Sequence, residues 1–417
     1  MDSRLRGNDG GGAGDYARLA DWNSPPTPVI GWMMDPSDLR VALFSGNYNY
    51  VRDGANQALN LLVGHLLSCG AAVRVYSPTV DKPAFPPTGD LVSVPSWALP
   101  GGRGEYRMAK GLPRSVRADL AAFAPNLVHV SAPETLGHRA VTWARASSLP
   151  IVASLHTRFE TYLRYYGLRF AEPAVEKLLT RFYNRADRVL TPGRSMAELI
   201  ASWGVRTPIS IWSRGVDHGR FNPDRRDLAW RRSLGIPDQA VAIGFLGRLV
   251  LEKGLDIFAE VAAELKRRGA PVRILVIGDG PARDWFASRV PDAAFAGFQR
   301  GDDLGRAVAS MDVFFNPSVT ETFGNVTLEA MAAGVPVVAA RATGAVDLIE
   351  EGVTGYLVPP RDVIAYADAI ERLARDDTAR HAAGAAGHAR AAAYEWEAVN
   401  AAAVQAYMEV MAARMGR

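Results

Sequence analysis

Val241-Ala-Ile-Gly-Phe-Leu246 runs directly into Gly247-Arg248-Leu-Val-Leu-Glu-Lys253-Gly254, a helical pattern follows from Leu255 to Arg267, and Val272-Arg-Ile-Leu-Val-Ile277 comes next. The two apolar runs are short and uninterrupted, as buried strands are. The segment between them repeats apolar residues at helical spacing. Strand, helix and strand in this order predict a βαβ unit with parallel strands.

Working outward, the same alternation fills most of the chain. Upstream, Arg40-Val-Ala-Leu-Phe44, Ala72-Val-Arg-Val-Tyr76, Asn126-Leu-Val-His-Val130 and Ile151-Val-Ala-Ser-Leu155 read as strands. Asp53 to Leu67 reads as a helix through Ala58, Leu61, Leu62 and Leu66, closed by Gly70. Downstream, Val313-Phe-Phe315, Val335-Pro-Val-Val338 and Gly355-Tyr-Leu-Val358 continue the series, and the Ala-rich end from about Ala365 to Met415 reads as helices. The fold class is therefore α/β, with two doubly wound Rossmann-like domains. Their boundary is expected near Pro208 to Arg214, giving one domain over 39–210, a second over 211–395, and a C-terminal helix over 396–417 that packs back on the first.

Composition agrees with this and narrows the function. The chain has 417 residues, more than one core usually holds, with 48% hydrophobic and 22% charged residues. A net charge of +3 is too small for a protein that coats nucleic acid. The single cysteine, Cys69, excludes an internal disulfide or zinc cluster and reads as a small apolar side chain. The best apolar run, Ala330 to Ala340, is too short to span a bilayer and stops at Arg341. No secretory signal is visible, so a cytoplasmic protein is expected, with the cytoplasmic face of the inner membrane as a place for it to sit. Residues 1–38, with Asn8-Asp9-Gly10-Gly11-Gly12 and Pro25-Pro26-Thr27-Pro28, are expected to be a disordered extension, the physiological start being Met33 or Met34.

In open α/β sheets ligands bind beyond the carboxyl ends of the strands. Two clusters stand there. Glu321-Thr-Phe-Gly-Asn-Val-Thr-Leu-Glu329 follows a strand and enters a helix expected over Phe323–Ala333. The amides of Phe323, Gly324 and Asn325 would form an anion site helped by the helix dipole, with Glu321 outside the helix start and Glu329 inside it. A polar helix start carrying one charged-face Glu remains the plainer alternative. In the second cluster, Arg248 and Lys253 bracket the loop after Leu246, which suits a diphosphate. Their plainer alternative is a surface pair with Glu252.

Glu321 and Glu329, seven residues apart and preceded by Pro317-Ser318, resemble the paired-glutamate motif of family 4 glycosyltransferases. Gly247-Arg248 with Lys253-Gly254 is similar to that family's phosphate loop, and Arg214-Gly-Val-Asp217 with Phe221-Asn-Pro223 to its interdomain segment. Ala333-Gly-Val-Pro-Val-Val338 and Glu351-Gly-Val-Thr-Gly-Tyr356 match its C-terminal pattern. The resemblance covers about Leu39 to Met411. It implies a GT-B fold, two domains facing a cleft, and retaining transfer from a nucleotide-diphosphate sugar, GDP-mannose or a UDP-sugar, without a metal or other cofactor. The departing phosphate would itself take the acceptor's proton.

The resemblance also implies residue roles. His156, Glu321, Arg248 and Lys253 would be catalytic. Donor contacts would come from Gly54, Arg248, Lys253, Gly278, Phe323, Gly324, Asn325, Val326 and Glu329, with Glu321 on the sugar and Glu329 on the ribose. His156 has a structural histidine at a strand end as its alternative. The first loop departs from the family's paired glycines, since Asp53-Gly54-Ala55 supplies only Gly54, and Ser213-Arg214-Gly215 stands where Pro-Asn-Gly is usual.

Trp212 to Asp217 and His156 to Tyr166 resemble the branch of lipid-directed α-mannosyltransferases and sulfoquinovosyl-diacylglycerol synthases. That implies a membrane lipid or lipid-linked acceptor. Arg103, Arg107, Lys110, Arg114 and Arg117 lie among Trp97, Tyr106, Met108 and Leu112; Tyr162 to Arg188 is similarly basic and aromatic. Both suit an anionic membrane, and a solvated basic face is the alternative. Arg107, Lys110 and Arg164 are the acceptor or membrane candidates. Three other readings stand beside it: the same chemistry on a soluble sugar or polysaccharide; a non-enzymatic nucleotide-sugar binder, against which Glu321 argues; and an NAD oxidoreductase, against which the incomplete Gly278-Asp-Gly280 fingerprint argues.

Overall fold

A computed structural model describes residues 35–51, 53–98, 107–161 and 169–415. The candidate Arg164, the neighbouring Tyr162, Tyr165 and Tyr166, Arg103, Tyr106 and the first 34 residues lie outside these. The described chain opens with a capped 3₁₀ turn at Pro36–Asp38, held by Asp35.

Among the described residues the first domain holds a seven-stranded parallel sheet. Its strands are β1 (Arg40–Phe44), β2 (Ala72–Ser77), β3 (Asp90–Ser93), β6 (Leu127–Val130), β7 (Ile151–Ser154), β8 (Arg188–Thr191) and β9 (Ile209–Ile211). The order is β3-β2-β1-β6-β7-β8-β9. A small antiparallel pair, β4 (Ser96–Ala98) and β5 (Arg107–Ala109), stands beside it. The second sheet is also parallel, in the order β12-β11-β10-β13-β14-β15. Its strands are β10 (Val241–Leu246), β11 (Val272–Ile277), β12 (Ala294–Gly297), β13 (Val313–Asn316), β14 (Val337–Ala340) and β15 (Gly355–Val358).

The strand sequences explain why both sheets are covered on two faces. Side chains alternate along a strand, so β1 sends Val41 and Leu43 into one core and Ala42 and Phe44 into the other. Likewise β10 sends Val241, Ile243 and Phe245 one way and Ala242 and Leu246 the other. Parallel sheets flanked by helices require such unbroken apolar runs.

The helix Trp396–Met415 packs back on the first domain. Val399, Ala403, Val404, Tyr407 and Met411 join the core built by Leu39, Val41, Leu59, Leu62 and Leu66. The expected strand at Val335–Val338 forms two residues later, as β14. Gly334 turns with φ +72°, and Pro336 has no amide to give the ladder.

Candidate functional site

In each sheet the chain reverses its order of winding at one place. In the first sheet this lies between β1 and β6, in the second between β10 and β13. A crevice opens beyond the strand ends at such a point. The loops from both points line one cleft of about 1330 Å³ between the domains.

The second domain supplies two cations and two carboxylates to it. Arg248 follows β10. Lys253 ends the 3₁₀ turn Leu251–Lys253, and its Nζ lies 2.6 Å from Oε1 of Glu321, in the loop after β13. The helix expected over Phe323–Ala333 runs over Asn325–Ala332. Its cap, Gly324, takes φ +95°, a conformation open to glycine, and the first amides of a helix have no partner inside it. Phe323, Gly324, Asn325, Val326 and Glu329 all line the cleft. Glu329, one turn into the helix, is pushed up to about 8 by burial, with Arg220 acting the other way.

The first domain meets this wall with Gly54 and His156. A Cβ at Gly54 would stand 2.2 Å from Nδ2 of Asn325, so two helix starts approach across the cleft. His156 follows β7, and its carbonyl accepts a hydrogen bond from Thr322 of the other domain at 3.0 Å. Both of its ring nitrogens are engaged. Arg214 donates to Nδ1 at 2.7 Å, and Nε2 lies 2.8 Å from Ser154 Oγ. Because a guanidinium only donates, Nδ1 accepts and the proton sits on Nε2. Ser154 is in turn 2.8 Å from His129, whose other nitrogen meets the Tyr407 hydroxyl at 2.6 Å. Burial first, then Arg214 and His129, hold His156 well below the usual imidazole range.

Other candidates are placed differently. Gly278 does not line the cleft: a Cβ there would stand 1.9 Å from the Gly247 carbonyl oxygen, so this glycine lets the loops after β10 and β11 pack. Arg107 lines the cleft, its Nε donating to Ser96 Oγ at 2.8 Å, whereas Lys110 is exposed away from it. Arg188, within the second basic stretch, is tied inward to Glu409 at 3.0 Å. Two cleft residues carried no sequence signal of their own. Arg214 was legible only as part of the interdomain segment, and Glu134, at the mouth of the first domain's crevice, sits in no motif. Among the described residues no group of three or more His, Cys, Asp or Glu side chains gathers as a metal site would require.

Two parallel open sheets facing a cleft, with a glycine-capped helix start and two cations on one side, define a GT-B glycosyltransferase. The chain belongs to glycosyltransferase family 4. The family model described as Glycosyltransferase Family 4 matches residues 52–220, and that described as Glycosyl transferases group 1 matches residues 240–376. Sulfoquinovosyl transferase SQD2 of Arabidopsis thaliana is 31% identical over 88% of this chain and 73% of its own length. A GDP-mannose-dependent alpha-mannosyltransferase of Mycolicibacterium smegmatis is 33% identical over 77% of this chain and 84% of its own. The fold is shared with sucrose-phosphate synthase of Thermosynechococcus elongatus, at a TM-score of 0.72 and 20% identity over 89% of this chain and 99% of that one. It is shared too with WaaG, a glycosyltransferase involved in lipopolysaccharide biosynthesis, at 0.63 and 18% over 87% and 98%.

Proposed function

We propose that this glycosyltransferase moves a hexose, with retention, from GDP-mannose or a UDP-sugar to a membrane lipid or lipid-linked acceptor. The observation that carries the donor half is the Lys253–Glu321 pair set beside Arg248 and the helix start at Gly324. Arg248, Lys253 and the amides of Gly324 and Asn325 take the diphosphate and its developing charge, which gives the leaving group its stabilisation without a metal. Glu321 accepts hydrogen bonds from the sugar hydroxyls, and Glu329 from the ribose. His156, with both nitrogens engaged, shapes the sugar pocket from the first domain.

In the step itself the bond from the anomeric carbon to the phosphate oxygen breaks. The acceptor oxygen bonds to that carbon on the same face, and its proton passes to the leaving phosphate. No side chain needs to act as base.

For the acceptor, support comes from the relatives' names and from the surface of the first domain. Trp97 is exposed on β4, near exposed Lys110, Arg114 and Arg117 in sequence. Phe170 and Leu178 are exposed, and so are Lys177 and Arg181 in the same stretch of sequence. Apolar side chains set among cations suit an anionic lipid surface, at about 1 kcal/mol per close cation. No described helix is long and apolar enough to cross a membrane.

The test is to incubate the protein with GDP-mannose, UDP-glucose and other nucleotide sugars plus lipid extract, and to identify products by mass spectrometry. Co-sedimentation with phosphatidylglycerol vesicles at low salt, reversed at high salt, accompanies it. A glycolipid product and salt-sensitive binding are expected. Transfer only to soluble sugars, with no vesicle binding, favours the soluble-acceptor reading.

A further inference from the structure

Glu134 is a carboxyl group that the donor chemistry does not use. It follows β6 at the winding reversal of the first sheet, and it lines the same cleft as Glu321 and Arg248. The loops after β1 and β6 are neighbours here, since the Ser131 amide donates to the Phe44 carbonyl at 2.9 Å.

Glu134 occupies the N-cap of the helix Thr135–Ala146, yet its side chain makes no capping bond. Its carboxyl group turns instead onto Gly46. A Cβ at Gly46 would lie 1.9–2.1 Å from the carboxylate atoms, so the first loop leaves room for this group alone. The Tyr50 hydroxyl holds that loop by donating to the Gly46 carbonyl at 2.6 Å. The backbone carbonyl of Glu134 accepts from the His138 amide at 2.8 Å, while among the described residues the carboxyl group has no hydrogen-bond or ion-pair partner. Protein packed around it pushes the group up to about 7. The side chain is half-buried, and its open side is the cleft.

We propose that Glu134 is the acceptor-side specificity residue, its carboxyl group hydrogen-bonding a hydroxyl of a polyol acceptor, a glycerol or sugar head, that enters between the loops after β1 and β6. This rests on the reading of the cleft as a site of transfer to a hydroxyl. The residue holds the acceptor and takes no proton in the step. Glu321 and Glu329 belong to the opposite wall, over the second sheet, so Glu134 serves the half of the cleft that the donor leaves open.

The test uses the full chain saturated with GDP or UDP and two probes, monooctanoylglycerol below its micellar concentration and methyl α-mannoside. Binding is followed by saturation-transfer NMR, and nucleotide affinity by calorimetry. In the wild type at least one probe binds. Glu134→Ala weakens that binding at least tenfold, and Gly46→Ala does the same from the opposite loop. Glu134→Gln, close in shape and able to make the same bond, stays within threefold. Nucleotide Kd stays within twofold in all three variants. Probes that bind the variants like the wild type, no probe binding to the wild type, or nucleotide affinity falling in parallel each overturn the assignment. Binding of methyl α-mannoside alone, lost in Glu134→Ala, upholds Glu134 while removing the lipid acceptor.

Discussion

Arg214, itself buried, donates to Nδ1 of the half-buried His156 at 2.7 Å, and this fixes the imidazole as neutral with its proton on Nε2. The same guanidinium donates to the carbonyls of Trp212 and Ser213 at 3.0 and 2.8 Å and lies over the Trp212 ring. Burial brings the guanidinium itself down to about 10, with Asp53 acting in the opposite sense. In the wild type the His156 ring should stay neutral from pH 5.5 to 8 in a histidine NMR titration. Arg214→Met should raise the His156 pKa, because a neighbouring positive charge is gone, and lower kcat/KM for the donor at least tenfold. A wild-type His156 that titrates near pH 6.5 would contradict the assignment.

The pairing of Lys253 with Glu321 makes two predictions of opposite sign. With the cleft empty, each partly neutralises the other across 2.6 Å, at 35% and 17% side-chain exposure. A diphosphate competes for Lys253. Lys253→Ala should therefore weaken GDP or UDP binding about tenfold and raise the barrier by at least ~3 kcal/mol, in line with loss of a group that stabilises leaving-group charge. Glu321→Ala should abolish transfer while nucleotide Kd holds or tightens, since the cation is released. Calorimetry and turnover on the two variants decide it: parallel loss of nucleotide affinity in both would dissolve the separate roles.

These relationships show which parts of the molecule the sequence carries openly. The strands β1, β10 and β11 and the helices Gly54–Ser68 and Leu255–Arg267 are readable because burial on both sheet faces imposes long apolar runs and an amphipathic helix imposes a period. β3, β9 and β12 are three or four residues long and partly exposed, and β8, though buried, offers only Val189-Leu190 as an apolar run, so no run or alternation marks them. In the site, Glu321, Glu329, Arg248 and Lys253 stand in motifs because they share loops and fixed spacing. Glu134 meets Gly46 at a sequence separation of 88, and the four-side-chain chain from Tyr407 to His156 joins three segments. Spacing along the chain holds no trace of such meetings. Gly278 shows the converse, a glycine at a strand end whose place in the packing, against the Gly247 carbonyl, no motif announces.

Glu329 makes stability and nucleotide binding depend on pH. Burial raises its pKa to about 8 from the ordinary 4.5. A carboxyl whose folded pKa is raised contributes stability that is fully present below about 4.5 and is lost as pH rises through 8. The buried His129, held down at about 3, works oppositely: its contribution is complete above the imidazole range and falls away in acid. The difference between wild type and Glu329→Gln isolates the first effect. Relative to the variant, wild-type Tm should fall between pH 5 and 8.5, each kcal/mol being worth roughly 2–4 °C in a domain of this size. If the ribose hydroxyls donate to this carboxylate, binding favours its charged form and should release protons at pH 7, read by calorimetry in buffers of different ionisation enthalpy. A Tm difference independent of pH and no proton release would remove Glu329 from the ribose.

Asp347, from the second domain, caps a helix of the first. Its carboxylate accepts from the Ser195 amide at 3.0 Å and the Ser195 hydroxyl at 2.6 Å, at the start of the helix Arg194–Ser202, whose own cap residue, Gly193, has no side chain to offer. A Cβ at Gly193 would stand 2.1 Å from the same carboxylate. The Gly344 amide returns a bond to Ser195 Oγ at 3.1 Å, and Arg158 reaches Thr343 at 3.2 Å nearby. Loss of a helix cap costs about 1 kcal/mol, and here that energy also holds the two walls of the cleft together. Asp347→Ala and Gly193→Ala should each open the domains, seen as a larger radius of gyration by small-angle scattering, and should raise donor KM several-fold. Because both disturb one contact, the double variant should fall short of the sum of the two, as coupled neighbours do. Scattering curves and KM equal to the wild type in both single variants would show that closure of the cleft is held elsewhere.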